Sequence, residues 1–297
     1  MEKKDFLIKY NITEDILRQA NLEWDILLAI YDDFLKRRVD FEPTAHYLTE
    51  CLRKVEGVHS TQYRMKDPEH LLEKIIRKKR KNPELDITKD NYCDVITDLT
   101  GVKVLHLFKA DWETIHRYIT ETWDLIEKPK ANIREGDGTD SFEEKNCQIV
   151  RHPFGYRSVH YLLALRPAKN LMVAELQVRT IFEEAWSEID HHIRYPYQVD
   201  NPILGNYLEI FNRLAGSADE MGSFIKLLDG ELKRTEEKHR LEMTEKDRII
   251  TELNNKIDGL GIGTKEKDDL QHMISNLIKI EEPKLMHVAK QKILTTR

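Results

Sequence analysis

Apolar positions recur at helical spacing early in the chain: Trp24, Leu27, Leu28, Tyr31, Phe34 and Leu35 share one face within a helical stretch over 13–56. Thr13 is placed to cap, with Glu14 and Asp15 in a first turn where the helix dipole favours acids. A second helix is expected from Thr44 past Leu48 and Leu52, stopped by Gly57. The period then shortens. Val58–Met65 reads as a short strand, Pro68 opens a basic helix carrying Leu71, Leu72, Ile75 and Ile76, and 95–108 reads as a strand broken by Gly101. The stretch 112–123 is an amphipathic helix with Ile115, Tyr118 and Ile119 on one side. Strands are expected at 148–150, Ser158–Leu165 and 172–178, the last two joined as a hairpin, and a helix over 180–194 ends before Pro196.

From Asn206 onward the pattern is helical. The segment 231–255 is dense in both charge signs with a thin stripe of Leu232, Leu241, Ile249, Leu253 and Ile257, as in a solvated helix or a coiled-coil arm. Gly259-Leu260-Gly261-Ile262-Gly263 lacks the spacing of a phosphate loop and follows a helix, so it reads as a helix stop and hinge before a last helix. These elements predict an α+β fold: a mixed, mainly antiparallel sheet flanked by helices over 58–200, an N-terminal helical segment over 1–57 and a helical extension over 201–297.

The 297 residues are 40% hydrophobic and 34% charged, which fits a soluble globular chain with one principal domain. A net charge of −6 excludes a basic nucleic-acid coat, so any anion site is a local gathering of Lys and Arg. Cys51, Cys93 and Cys147 stand far apart without metal spacing, as expected of reduced thiols. There is no apolar run of the ~18 residues needed to span a membrane, and the first residues lack a signal peptide's apolar stretch. A cytoplasmic protein is expected.

The basic gathering exists. Arg64, Lys66, Lys74, Arg77, Lys78, Lys79, Arg80 and Lys81 face only Asp67, Glu69 and Glu73 between positions 64 and 81. Lys74, Arg77, Lys78 and Lys81 fall on one helical face, and Arg64 and Lys66 on one strand face. A solvated surface accounts for such a run, as does a polyphosphate clamp. Glu175 stands in an apolar strand, where acids are depleted. By period 2 it shares a face with Gln177 and Arg179, so it serves either an ion pair or, with Asp98, the oxygen shell of a Mg²⁺ that touches substrate phosphates. In the second case it also has the chemistry of a general base. Tyr156, after Gly155, is either a rim tyrosine or a stacking platform for a base, with His160 available to phosphate or ribose. The spacing Glu188-x-x-His191 recurs at Glu56/His59, Glu113/His116 and Glu236/His239, and is read as ordinary helix-surface pairing.

Over roughly 40–200 these residues resemble the synthetase domain of RelA/SpoT-type alarmone synthetases, in particular the short synthetase-only members and their toxic relatives. Arg64 to Glu69 with Lys74 and Arg77 is similar to the family's ATP-binding segment, and Asp98 to Lys103 to its metal motif. Gly155 to His160 is similar to its acceptor loop, Glu175 to Thr180 to its second acidic motif, and Trp186 to His191 to the helix that follows. The resemblance implies a nucleotidyltransferase-like domain and a GTP/GDP diphosphokinase: Mg²⁺-bound ATP gives its β,γ-pyrophosphoryl group to the ribose 3′-hydroxyl of GDP or GTP, making (p)ppGpp. It assigns Asp98 and Glu175 to metal and catalysis, Arg64, Lys66, Lys74, Arg77 and Lys103 to ATP, and Tyr156, Arg157, His160, Gln177 and Arg179 to the acceptor.

The chain departs from the family at His70 (family serine) and Lys103 (family arginine), and at His152-Pro153-Phe154 (often Lys-Pro-Asn), the last of which leaves the acceptor open. A tRNA 3′ end, and a degenerate site that only binds nucleotide, are the alternatives. The absence of a His-Asp dipeptide implies no metal-dependent hydrolase domain. An antitoxin, or self-association through the helical extensions, would be further partners; no membrane is expected.

Overall fold

The computed structural model describes residues 1–167, 169, 171–194 and 201–280. Short helices α1 (Lys3–Lys9) and α2 (Glu14–Gln19) open the chain, the second capped by Thr13, whose hydroxyl accepts from Ile16 N. The long α3 (Trp24–Leu52) follows, with Pro43 inside it. The expected break before Thr44 does not occur. Pro43 removes one backbone bond, but Leu27, Ile30 and Phe34 before it and Ala45, Leu48 and Leu52 after it are all fully buried, so packing on both sides carries the helix through.

Strand β1 (Val58–Met65) leads to α4 (Pro68–Lys81), where Asp67 accepts from Glu69 N and His70 N and Pro68 sits at the permitted first position. Next come the single turn α5 (Tyr92–Val95), β2 (Thr100–His106), α6 (Asp111–Thr122), β3 (Lys130–Ile133), α7 (Asp140–Glu144) and β4 (Gln148–Arg151). The expected strand over 95–108 is thus shorter. Tyr92, Ile96 and Leu99 turn into the N-terminal core, so Asp98 lies in the turn ahead of β2 and not in a strand. Strands β5 (Ser158–Leu165) and β6 (Met172–Thr180), helix α8 (Ile181–Arg194), the long α9 (Pro202–Asp258) and α10 (Thr264–Ile280) complete the order. The loop joining β5 to β6 is only partly within the described residues, and the stop expected at Pro196 lies outside them. The glycine-rich stretch 259–263 does separate α9 from α10.

The six strands run β1-β2-β6-β5-β3-β4. β2 and β6 are parallel, as are β3 and β4, and the other neighbours are antiparallel. Alternation sets the two faces. Ala174, Leu176 and Val178 of β6 pack with Val102, Val104, Tyr161 and Leu163 over Trp112, Ile115 and Ile119 of α6. The buried Tyr161 hydroxyl is satisfied by Trp112 Nε1 and His116 Nδ1, each at 3.0 Å. Glu175, Gln177 and Arg179 lie on the other face of β6. A second core joins Phe6, Leu17, Leu27, Ile30 and Phe34 to Leu71, Leu72, Ile75 and Ile76 of α4, which fixes the basic helix beside that face.

The chain divides into two compact units, Met1–Lys226 and Leu227–Arg297. Within the first, the start of α9 docks on the domain. Trp186 Nε1 donates to Leu208 O at 2.9 Å, Asn212 Nδ2 to Gly155 O at 2.9 Å, and Thr180 Oγ1 to Asp219 Oδ2 at 2.8 Å. Among the described residues no helix is long and apolar enough to cross a membrane.

Candidate active site

Parallel pairing of β2 with β6 sets Gly101 against Glu175 and Lys103 against Gln177, while antiparallel β5 sets His160 against Gln177. Three strands thereby bring their polar positions to one face, roofed by α4 and α8.

Glu175 and Arg179 do not pair directly. Gln177 stands between them: its Nε2 donates to Glu175 Oε2 at 2.9 Å and its Oε1 accepts from Arg179 Nη2 at 2.8 Å. Arg179 is 3% exposed; it also bonds Ser187 Oγ at 2.8 Å, pairs with Glu184 at 2.8 Å and lies 5.4 Å over the Tyr156 ring. The Tyr156 hydroxyl meets His160 Nε2 at 2.9 Å, and His160 Nδ1 is 3.5 Å from Glu175 Oε1. Burial works to raise the Glu175 carboxyl, but hydrogen bonds and charge from His160, with Gln177, outweigh it and hold it below its ordinary value.

Asp98 receives Lys66 at 2.8 Å and Lys74 at 2.6 Å, both on Oδ2. Against the penalty of burial, the two ammonium groups hold its carboxyl below the ordinary value. Its negative charge in turn opposes ionisation of Glu175, which marks the two carboxylates as neighbours. Asp98 Oδ1 is buried with no hydrogen-bond partner. That orphan oxygen fits a hard cation, and a second carboxylate in Glu175 gives the sparse protein shell usual for Mg²⁺, which takes one or two carboxylates with phosphates and water. Among the described residues no group of three or more His, Cys, Asp or Glu forms a self-sufficient cage.

The cations crowd one another. Burial, with Lys74 and Arg64 nearby, holds the Lys66 amine below its ordinary value despite Asp98. Burial and Lys74 do the same to Lys78, which donates to Val95 O at 2.9 Å. A cluster of that kind favours an anion.

A cavity of about 850 Å³ opens beside the Tyr156 ring, lined by Arg77, Arg80, His152, Phe154, His191 and Arg194 and closed by Tyr10, Asn11 and Ile12 of the N-terminal segment. The rings of Phe154, His152, Tyr156 and His160 follow one another at centroid spacings of 6.0, 5.4 and 5.7 Å.

Two expectations change. Arg157 is not in the cleft: its Nε and Nη2 bond Asp137 at 2.6 and 3.2 Å, and it lies under Gly216 of α9. Adjacent residues of an extended chain point to opposite sides, so Tyr156 and Arg157 part company. Arg157 and Asp137 line a separate cavity of about 470 Å³ with His106, which shares only Arg179 with the cleft. Lys103 does face the cleft, but it is held by Glu184 at 2.7 Å and by Glu188 of α8. The remaining expected residues, Arg64, Lys66, Lys74, Arg77, Asp98, Tyr156, His160, Glu175, Gln177 and Arg179, come together around this face and its cavity.

Asn212 escaped the sequence reading. It is 3% exposed and ties α9 to the loop at Gly155, whose φ is +76°. Its signal is a contact over 57 residues of sequence, which no local pattern announces.

Residues 63–200 match the family described as the region found in RelA / SpoT proteins. GTP pyrophosphokinase YwaC of Bacillus subtilis (strain 168) is 27% identical over 150 residues, 49% of this chain but only 62% of that relative's length. The crystal structure of small alarmone synthetase 1 from Bacillus subtilis superposes with a TM-score of 0.51 at 18% identity, over 68% of this chain and 99% of that one. The matched stretch 63–200, somewhat under half of the chain, is similar to the RelA/SpoT region. Its mixed six-stranded sheet with flanking helices is the fold of the small alarmone synthetases.

Proposed function

We propose that the chain is a pyrophosphokinase that moves the β,γ-pyrophosphoryl group of ATP to the ribose 3′-hydroxyl of GDP or GTP. The observation that carries this reading is the pair of neighbouring carboxylates in unlike settings. Asp98 is matched by two lysines yet keeps one buried oxygen unpartnered, and Glu175 is held ionised by His160 and Gln177. The likeness to a GTP pyrophosphokinase supports the same reaction class.

In the proposed reaction the 3′-oxygen bonds to the β-phosphorus, the bond from that phosphorus to the α-bridging oxygen breaks, AMP leaves, and the hydroxyl proton passes to Glu175. A divalent ion held by Asp98 Oδ1 and Glu175 would offset phosphate charge. Lys66, Lys74, Arg64 and Arg77 would hold the triphosphate, and Tyr156 would carry the acceptor base on its ring. Because the Glu175 carboxyl is held low, it is a weak base that is always available. Such transfers depend more on alignment and charge neutralisation than on a strong base.

The test is incubation with ATP, Mg²⁺ and GDP or GTP, followed by chromatography. AMP and a 3′-pyrophosphorylated guanosine should accumulate; if neither does, the proposal is wrong. The chain of rings from Tyr156 out to Phe154, tilted 60–61° to one another, with Arg194 over the last, favours a second reading, a polynucleotide 3′ end such as tRNA, whose bases and phosphates such aromatic and cationic groups bind. Transfer of label from ATP to tRNA in preference to GDP or GTP decides for it.

A further inference from the structure

Asn212, Gly216 and Asp219 lie on one face of α9 and dock it on the domain. Asn212 Nδ2 donates to Gly155 O, beside Tyr156. Gly216 passes so close that an added Cβ would lie 3.1 Å from Arg157 Nη2. Asp219 Oδ2 accepts from Thr180 Oγ1 at 2.8 Å. Thr180 precedes α8 and closes a capping box there: its hydroxyl accepts from Glu183 N at 3.2 Å, and the Glu183 carboxyl accepts from Thr180 N at 3.1 Å. One threonine thereby brings two carboxyl groups together under α9.

No cation around them is free to neutralise both. Arg157 and Arg134 are engaged by Asp137. Arg179 is paired with Glu184. Lys109 reaches Glu220 at 3.7 Å, and Glu220 adds negative charge beside Asp219. His106 and Glu113 line the same cavity as Glu183; burial holds the first below its ordinary value, and the second brings no positive charge. Asp219 is fully buried, yet its Oδ1 has no hydrogen-bond partner. A lone buried acceptor is costly, whereas a protonated carboxyl oxygen beside a second carboxyl is a donor with somewhere to donate.

We propose that Glu183 and Asp219 hold one proton between them, and that this proton keeps α9 docked beside Tyr156, so that the two residues act as a positioning pair for the acceptor. Docking does not depend on the reaction; the positioning role rests on the one proposed above. Burial and the neighbouring Asp219 push the Glu183 carboxyl up to about 7, and burial raises Asp219 as well. Carboxyls this close titrate as a pair. A lifted helix would return them to ordinary values. Docking is therefore fully favoured below the ordinary carboxylate range and is lost as pH rises through about 7.

Hydrogen exchange of the full chain, followed by mass spectrometry and corrected for the intrinsic rate at each pH, reads the docking directly. From about pH 6 to about pH 8 the opening of α9 should increase roughly tenfold in the parent. Glu183→Gln still accepts from Thr180 N, and Asp219→Asn from Thr180 Oγ1, but neither new side chain has a proton to lose. In each the increase should fall below about twofold. Under the proposed reaction, KM for GDP or GTP should climb several-fold with pH in the parent relative to Glu183→Gln, while KM for ATP changes equally in both. No increase in the parent, or an increase that either variant keeps, overturns the shared proton; where one variant fails to fold, the other decides. An increase without a change in acceptor KM overturns the positioning role. Absence of any guanosine product overturns the reaction instead and leaves the exchange result to decide the docking.

Discussion

Gly155→Ala is expected to cost about 2–3 kcal/mol, in two parts that a second substitution separates. The first part is backbone: at a φ of +76° an L residue bears roughly 1–2 kcal/mol. The second is contact. An added Cβ would lie 2.9 Å from Asn212 Oδ1 and 3.2 Å from its Cγ, so the amide must withdraw and its bond to Gly155 O is lost, worth about 1 kcal/mol net. In an Asn212→Ala chain the obstruction and the bond are already gone, and Gly155→Ala should then cost only the backbone part. The four proteins form a cycle with a coupling of about 1 kcal/mol, read by urea unfolding. Under the proposed reaction both single substitutions also shift Tyr156, so KM for the acceptor should rise several-fold while KM for ATP holds. An equal cost of Gly155→Ala in both backgrounds would refute the reasoning.

Glu175→Gln keeps the Gln177 contact but removes the proton acceptor, and should lower kcat about 10²–10⁴-fold, with ATP binding measured by calorimetry little changed. Lys66→Met with Lys74→Met strips Asp98 of its ammonium partners, leaving burial to raise its carboxyl. The acid limb of the pH–rate profile should move up; in the parent, the stability from this pairing is present above the ordinary aspartate value and is lost as pH falls. A limb that moves down or stays would contradict the assignment. Phe154→Ala removes the outermost ring, over which Arg194 sits at 4.0 Å, and should weaken a polynucleotide acceptor by ~1–3 kcal/mol while leaving a mononucleotide nearly unaffected, as read by competition binding. Leu72→Ala, in the core that seats α4, should cost about 2–5 kcal/mol and lower the melting temperature.

Much of this site was legible because strand alternation is local. Glu175, Gln177 and Arg179 announce a shared face in five residues, and Asp67-Pro68 announces the start of the basic helix. What stayed hidden depends on distance. Asp98 sits in an apolar run that reads as one strand, and only the second core, reached through Ile96 and Leu99, bends it into a turn. Lys103 takes partners 81 and 85 residues away. Arg157 looks like a site residue by its place in a motif, although period 2 already sends it to the side of Val159 and Tyr161. The short α1, α5, α7 and β3 span too few residues for any period to show.

The bridging amide of Gln177 restricts what that position can hold. It is donor at one end and acceptor at the other, so it can touch a carboxylate and a guanidinium at once without favouring either. A glutamate there would satisfy Arg179 and repel Glu175; a lysine would do the reverse. The amide thus works as a neutral spacer that keeps two opposite charges from cancelling each other along one strand. The carboxylate keeps its charge for a proton or a cation that enters the cleft, while the guanidinium spends its own on Glu184 and is left to brace the Tyr156 ring.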